Sequence, residues 1–272
     1  MGTEAPTTRS RPWSSCKPAP VLAQEPWRGP SHEASPEGGR ARKKHRFLID
    51  ETEGMLFGLA QAVEQRDSHT ASHCERLAFM SVAMGMAMQL NRPALLTLYQ
   101  GGYLHDVGKV GIPDAILYKP GSLSDEEWET MRTHPARGED ICRHVPSLRP
   151  VLPLIRHHHE RWDGSGYPDG LRGEQIPLGA RLLQTADIYD ALTSARPYKA
   201  AYGHTEALQI LRDETRRGWR DPQVVDLFVR LHESVIAKIE EFTTGADHNL
   251  QTMKASLDNL EDLLDFGQRA AD

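Results

Sequence analysis

The sequence predicts an all-α protein with an irregular polar segment at its N-terminal end. Beyond residue 46, apolar residues recur three and four positions apart, which is the spacing of one face of an α-helix. The chain lacks a convincing run of the alternating pattern that is typical of a β-strand. We expect three units: a disordered basic tail over 1–46, a helical domain over 47–240 and an amphipathic helical extension over 241–272.

The composition of the tail differs from that of the rest of the chain. Residues 1–46 contain seven prolines, and nine Lys/Arg against four Asp/Glu, so they carry a charge of about +5 while the whole chain carries −6. Such a segment buries too little apolar surface to fold. Its basic run at 40–46 is typical of a solvated linker or of a contact with nucleic acid or an anionic membrane. Because the remainder is acidic, nucleic acid is not expected as the main ligand.

Neither a membrane span nor the apolar core of a signal peptide is recognisable, so the sequence predicts a cytoplasmic protein. Three widely spaced cysteines predict no disulfide framework.

The first half of the domain is predicted to consist of three helices and a turn. Apolar spacing predicts helices over 47–64 and 69–90, and the methionines of the second helix predict burial on most of its sides. Pro93 is well placed to start the third helix, whose apolar face continues to His105. The pair His105-Asp106 therefore points inward. An imidazole and a carboxylate are both metal ligands, and Lys109 is a suitable partner for a phosphate.

The second half is also predicted to be helical, with one irregular interruption. Ser124 and Glu127 form a capping box, and further helices are expected at 135–142 and 148–159. His158 and His159 continue the apolar stripe of the latter helix, while His157 lies to its side. Residues 160–179 contain five glycines and two prolines, which predict a functional loop.

The last helices carry two further features. The helix that starts at Pro177 places Asp187 and Asp190 on an apolar face, where carboxylates need a cation or a donor. Helices are then expected at 205–217 and from Asp221-Pro222 onward. Leucine and methionine residues over 250–264 repeat like two heptads, which predicts packing against a partner helix and, as one form of it, a homodimer.

Seven histidine and aspartate residues of these helices can bind a metal and are expected to point inward. A single zinc ion takes four ligands, so the set predicts two divalent ions bridged by a carboxylate. Nitrogen and oxygen donors suit iron, manganese or zinc. The alternative is a buried polar network without metal, in which every carboxylate must find a donor. The candidate ligands are His73, His105, Asp106, His134, His158, His159 and Asp187.

Four runs of the sequence resemble the HD-GYP family, a branch of the HD phosphohydrolase superfamily, over about residues 50–235. They are HDVGKVGIPDAILYKPG at 105–121, the element from His134-Pro135 to Gly138, HHERWDGSGYP at 158–168, and ADIYDALTSARPYK at 186–199. The resemblance implies an HD-type helical bundle.

The resemblance also implies an activity, namely hydrolysis of cyclic di-GMP to linear pGpG and onward to GMP in some members. It implies the seven ligands named above, with Asp106 as the bridge and Lys109 as its catalytic partner. The implied substrate contacts are Lys109, Tyr167, Arg196 and Lys199. A glutamate that helps to hold a third metal in some members is replaced here by His69, which leaves His69 as a third-metal candidate. Asp190 would orient Arg196 or a ligand.

Iron or manganese is favoured for the two ions, with zinc, nickel, magnesium and cobalt as alternatives. Two other functions stay open: a catalytically weak sensor or adaptor of cyclic di-GMP, and a phosphohydrolase for another cyclic dinucleotide or nucleotide. A diguanylate cyclase or another protein is a candidate partner through the glycine-rich loop.

Overall fold

The computed structural model describes residues 51–67, 73–195 and 200–243, and all regular structure in these ranges is helical. The predicted all-α class is confirmed. The tail at 1–46 and the heptads at 250–264 lie outside the described residues. The helices are α1 (Glu51–Asp67), α2 (His73–Ala87), α3 (Arg92–Leu104), α4 (Asp114–Leu117), α5 (Asp125–Met131), α6 (His134–Cys142), α7 (Leu152–His157), α8 (Leu178–Thr193), α9 (His204–Arg216) and α10 (Pro222–Thr243), with 3₁₀ turns at Val107–Gly111, Pro146–Val151 and Gly173–Gln175.

The consecutive helices α2 and α3 pack closely against each other in the core. A Cβ atom at Gly102 would lie 2.6 Å from the Cα atom of Ala78, so only glycine allows this approach. Met80 and Met84 of α2 are buried, as predicted, but Met88 lies just beyond the helix and is exposed. The tight packing of α2 and α3 fixes the end of α3, where His105 and Asp106 follow.

Three helix starts carry side-chain caps, and those at α5 and α10 were predicted from the sequence. The Asn91 side chain accepts a hydrogen bond from the Ala94 backbone at the start of α3. Both hydrogen bonds of the Ser124–Glu127 capping box are present at α5. At α10, Oδ1 of Asp221 accepts from the Gln223 backbone at 2.8 Å. These caps satisfy backbone N–H groups that have no partner within the helix.

The predicted continuous helix over 148–159 is wrong. The structure has a 3₁₀ turn followed by the short helix α7, which ends at His157. Pro150 and Pro153 have no backbone N–H group to continue a regular hydrogen-bond ladder, which accounts for the interruption. His158, which follows α7 as its C-terminal cap, is nevertheless buried.

No helix among the described residues combines the length and the apolar character that a membrane span requires.

Candidate metal centre

The turn after α3 lies directly against the start of α6. A Cβ atom at Gly108 would lie 2.0 Å from the carbonyl oxygen of His134 and 2.5 Å from the backbone nitrogen of Gly138. Glycine is therefore required where the two backbones meet. This approach brings His134 up to Asp106.

Asp106 lies between two sets of imidazoles. Its Oδ1 atom is 3.2 Å from Nε2 of His134 and 3.7 Å from Nε2 of His158. Its Oδ2 atom is 3.2 Å from Nε2 of His105 and 2.7 Å from Nζ of Lys109. Each carboxylate oxygen thus faces a different set of nitrogen donors, which is the arrangement of a bridging ligand.

Three imidazoles are oriented by the same local device. The Nδ1 atoms of His105, His134 and His158 lie 3.0, 2.9 and 2.7 Å from the carbonyl oxygens three residues earlier in the chain. Since a carbonyl oxygen only accepts, Nδ1 donates its hydrogen there, which turns Nε2 of each ring towards Asp106. Nε2 is therefore the atom of each ring that would bind a metal ion.

His73 completes a second set from the start of α2. Its Nδ1 atom is 2.8 Å from Oδ2 of Asp190, and its Nε2 atom is 3.7 Å from Oδ1 of Asp187. Asp190 is buried and also accepts from Arg76 through both carboxylate oxygens, at 2.6 and 2.9 Å. Asp190 therefore orients His73 and faces Arg76, whereas Asp187 faces the site.

The residues fit a pair of metal ions. Two groups of ligand atoms, each within 4.8 Å of one another, share Asp106. In the described part of the chain, Oδ1 of Asp106 and Nε2 of His105 are buried without a hydrogen bond of acceptable geometry. Nε2 of His134 and Nε2 of His158 face each other at 3.3 Å, which suits a shared cation. The groups are Asp106, His134, His158 and His159, and His73, His105 and Asp106. Asp187 stands beside the second group, next to His73.

The electrostatics of the cluster favour positive charge at Asp106. Burial opposes its ionisation, but Lys109 and His105 outweigh burial and hold the pKa of Asp106 well below its ordinary value. Burial also disfavours a charged His105, yet the adjacent carboxylate raises the pKa of His105 to about 9. Burial lowers the pKa of His158 to about 4, which keeps that imidazole neutral. A neutral imidazole beside an ionised carboxylate is a set of ready ligands.

Lys109 is held between two carboxylates. Its Nζ atom is 2.6 Å from Oδ2 of Asp67, at the end of α1, and 2.7 Å from Oδ2 of Asp106. Although burial opposes the charge, the two carboxylates raise the pKa of Lys109, so it stays protonated. The contact with Asp67 is not visible as a sequence pattern, because the two residues are 42 positions apart.

The glycine-rich loop brings Tyr167 against the cluster. The ring centroids of Tyr167 and His159 are 4.9 Å apart with an interplanar angle of 30°. A Cβ atom at Gly166 would lie 2.2 Å from the backbone nitrogen of Arg161, so the fold of the loop needs glycine there. Burial raises the pKa of Tyr167, which leaves its hydroxyl protonated.

Two residues that sequence reasoning missed hold this loop. Glu160 is fully buried, and its carboxylate accepts from the backbone of Asp169 at 2.7 Å and of Leu171 at 3.1 Å. Gln184 of α8 donates to the carbonyl oxygens of His158 and Glu160. His157, which the sequence places to the side of the apolar stripe, is not part of the two groups that contain Asp106, and its Nδ1 atom is 3.4 Å from Oδ2 of Asp169. The sequence HHE at 158–160 could have drawn attention to Glu160. The backbone groups that Glu160 binds could not have been found from the sequence.

Three predicted residues, His69, Arg196 and Lys199, lie outside the described residues.

The chain is similar to known proteins. A profile described as HD domain matches residues 58–224. The chain is 40% identical over 206 residues to a cyclic di-GMP phosphodiesterase of Vibrio cholerae, covering 70% of this chain and 42% of that protein. It is 34% identical over 182 residues to 3'3'-cGAMP-specific phosphodiesterase 1 of the same species, covering 67% and 42%. The chain thus spans less than half the length of either relative.

A solved structure shows the same fold. The crystal structure of a cyclic GMP-AMP specific phosphodiesterase of V. cholerae superposes with a TM-score of 0.55 at 22% identity, covering 74% of this chain and 53% of that chain.

Proposed function

This chain belongs to the HD domain family, and on that premise we propose that it is a metal-dependent phosphodiesterase that hydrolyses cyclic di-GMP to linear pGpG. The family expected from the motifs is confirmed by the matched profile. One observation carries the proposal: Asp106 lies between two groups of histidines, one at each carboxylate oxygen.

The proposed ligand set is the one expected from the sequence. His134, His158 and His159 would hold one ion, His73, His105 and Asp187 the other, and Asp106 would bridge them. Two bound cations supply Lewis acidity at a phosphoryl oxygen and activate a water for attack. We propose two ions rather than three, with iron or manganese ahead of zinc, nickel, magnesium or cobalt. His69 is kept as a candidate for a third site.

Lys109 and Tyr167 are the proposed substrate contacts within the described residues. Lys109 carries a positive charge next to Asp106, where it would offset negative charge on the non-bridging phosphate oxygens. The protonated hydroxyl of Tyr167 would donate to a phosphate oxygen. Arg196 and Lys199 stay in the proposal as further phosphate contacts on the strength of the motif alone.

A second substrate remains a candidate. The similarity to a relative named as 3'3'-cGAMP-specific favours another cyclic dinucleotide at the same site. The cytoplasmic location, a homodimer through 250–264 and a diguanylate cyclase partner at the loop also remain predictions.

The test is turnover by metal-loaded protein, with the product identified by chromatography. We expect pGpG from cyclic di-GMP. The double variant His105→Ala/Asp106→Ala should bind less metal and lose about three orders of magnitude in kcat or more. His144→Ala, which changes an exposed histidine, is the matched control and should keep both. Tight binding of cyclic di-GMP without any product would contradict the proposed enzymatic activity and favour the sensor function. Full activity of the double variant would contradict the metal site.

A further inference from the structure

We propose that Arg132 reads the guanine base of the nucleotide at this site, an inference that rests on the proposed function. Arg132 caps the C-terminal end of α5 and stands two residues before His134, the first residue of α6. The same short stretch of backbone thus positions a candidate metal ligand and a guanidinium group.

The ring of Tyr167 connects Arg132 to the histidine cluster. Its Cζ atom is 5.7 Å from the ring centroid of Tyr167, and Tyr167 in turn contacts His159 at 4.9 Å. A nucleobase is separated from the adjacent phosphate by one ribose. If that phosphate faces the histidines, a base directed towards Tyr167 therefore reaches Arg132.

The guanidinium lies near two aromatic rings at the surface. Its Cζ atom is also 5.9 Å from the ring centroid of Trp128, a residue that is 43% exposed. Its ion pair with Glu129, at 3.4 Å, is weak because the Glu129 side chain is 77% exposed. The contacts with the two rings restrict the guanidinium plane, so less conformational entropy is lost when its edge binds a ligand.

The chemistry of the guanidinium edge selects guanine over adenine. Arginine has only donors, arranged as a planar fork. Guanine presents two acceptors, O6 and N7, on one edge, whereas adenine presents N7 beside an amino group that donates. A bidentate pair forms with guanine, and adenine places a donor against a donor. Arginine also suits phosphate, but a phosphate contact would not distinguish the two bases.

The experiment measures kcat/KM for cyclic di-GMP, 3'3'-cGAMP and cyclic di-AMP with the metal-loaded full chain and with Arg132→Gln. We expect the variant to lose about tenfold or more on cyclic di-GMP and to keep or gain activity on cyclic di-AMP, because glutamine pairs with N6 and N7 of adenine. An equal loss on all three substrates would overturn the proposal in favour of a phosphate contact. Unchanged ratios with unchanged rates would overturn it as well.

Arg143→Gln is the matched control. Arg143 also caps a helix, α6, and also pairs with a carboxylate three residues earlier, Asp140, at 2.9 Å. Its replacement should leave kcat/KM for all three substrates unchanged.

Binding of GMP and AMP to the same proteins separates this inference from the proposed function, because neither ligand contains a phosphodiester to cleave. A wild-type preference for GMP that disappears in Arg132→Gln supports base reading even if no cyclic dinucleotide is hydrolysed. Turnover of cyclic di-GMP without any change in base preference would leave the proposed function standing and refute the role of Arg132.

Discussion

The histidine and aspartate cluster and the loop beside it are held in place by different forces. The cluster stands on helices whose apolar faces form the core, and its neighbours Leu104, Val107 and Ile155 are at most 1% exposed. Residues 160–177 have little regular structure, and polar contacts hold them. These include the Glu160 carboxylate and backbone hydrogen bonds from Trp162 to Trp219 and from Gly173 to Trp162.

The difference separates metal binding from substrate binding. The cluster can move only if the core repacks, since close-packed interiors resist small displacements. The loop can open by breaking a few hydrogen bonds, which costs less than global unfolding. Changes that disturb the cluster should therefore alter metal affinity, while changes in the loop should alter substrate affinity and leave the metal in place.

The largest effect in this comparison is expected from Asp190→Asn. Asp190 orients His73 and faces Arg76 with both oxygens, so the amide would lose a charged acceptor and aim a donor at a cation or an imidazole. Loss of such an orienting partner typically weakens metal affinity about 10- to 100-fold. The metal affinity of the variant is measured by competition with a chelator. Unchanged affinity in the variant would mean that the His73 ring does not depend on Asp190.

A smaller effect, confined to the loop, is expected from Glu160→Gln. One of the two carboxylate oxygens that accept from the Asp169 and Leu171 backbone N–H groups is replaced by an NH₂ group, which donates. Loss of such a buried hydrogen bond destabilises the loop by about 1–3 kcal/mol. KM should rise and amide exchange at 164–171 should accelerate, with metal content unchanged. The control is Glu174→Gln, an exposed glutamate of the same loop. Loss of metal from Glu160→Gln alone would show that loop and cluster are one cooperative unit.

The sequence predicted the parts of this comparison that depend on local periodicity. Helical spacing located His105 and His158, which are both fully buried, because an inward stripe is a property of a single helix. Apolar spacing did not predict the split of the segment 148–159, because the spacing continues across Pro150 and Pro153 although the backbone hydrogen-bond ladder does not.

The residues that hold the ligands could not be predicted from local patterns. Arg76 meets Asp190 across 114 positions, and Gln184 meets the His158 carbonyl across 26. Such contacts depend on how helices pack, and no single-helix period encodes them. The proximity of Arg132 to Tyr167 could not be predicted for the same reason, since Tyr167 lies on a separate loop.

The smallest expected effect comes from the rim of the loop, where Arg156 joins Asp169 and Glu139. Arg156 donates to both oxygens of Asp169 at 2.7 and 2.8 Å and to Glu139 at 2.7 Å. About a third of the Asp169 side chain is exposed, so solvent screens the pair, and Arg156→Gln should cost no more than about 1 kcal/mol at neutral pH.

The pH dependence identifies that contribution. Hydrogen bonding to Arg156 lowers the pKa of Asp169 below its ordinary value. The pair therefore stabilises the folded protein above the unfolded pKa of about 3.9, and this stability is lost as the pH falls through the lower folded pKa. Urea unfolding of wild type and Arg156→Gln should differ at neutral pH and converge in acid. Arg143→Gln is the control for loss of a surface arginine. A cost that persists unchanged in acid would place the effect of Arg156 in its packing and not in the ion pair.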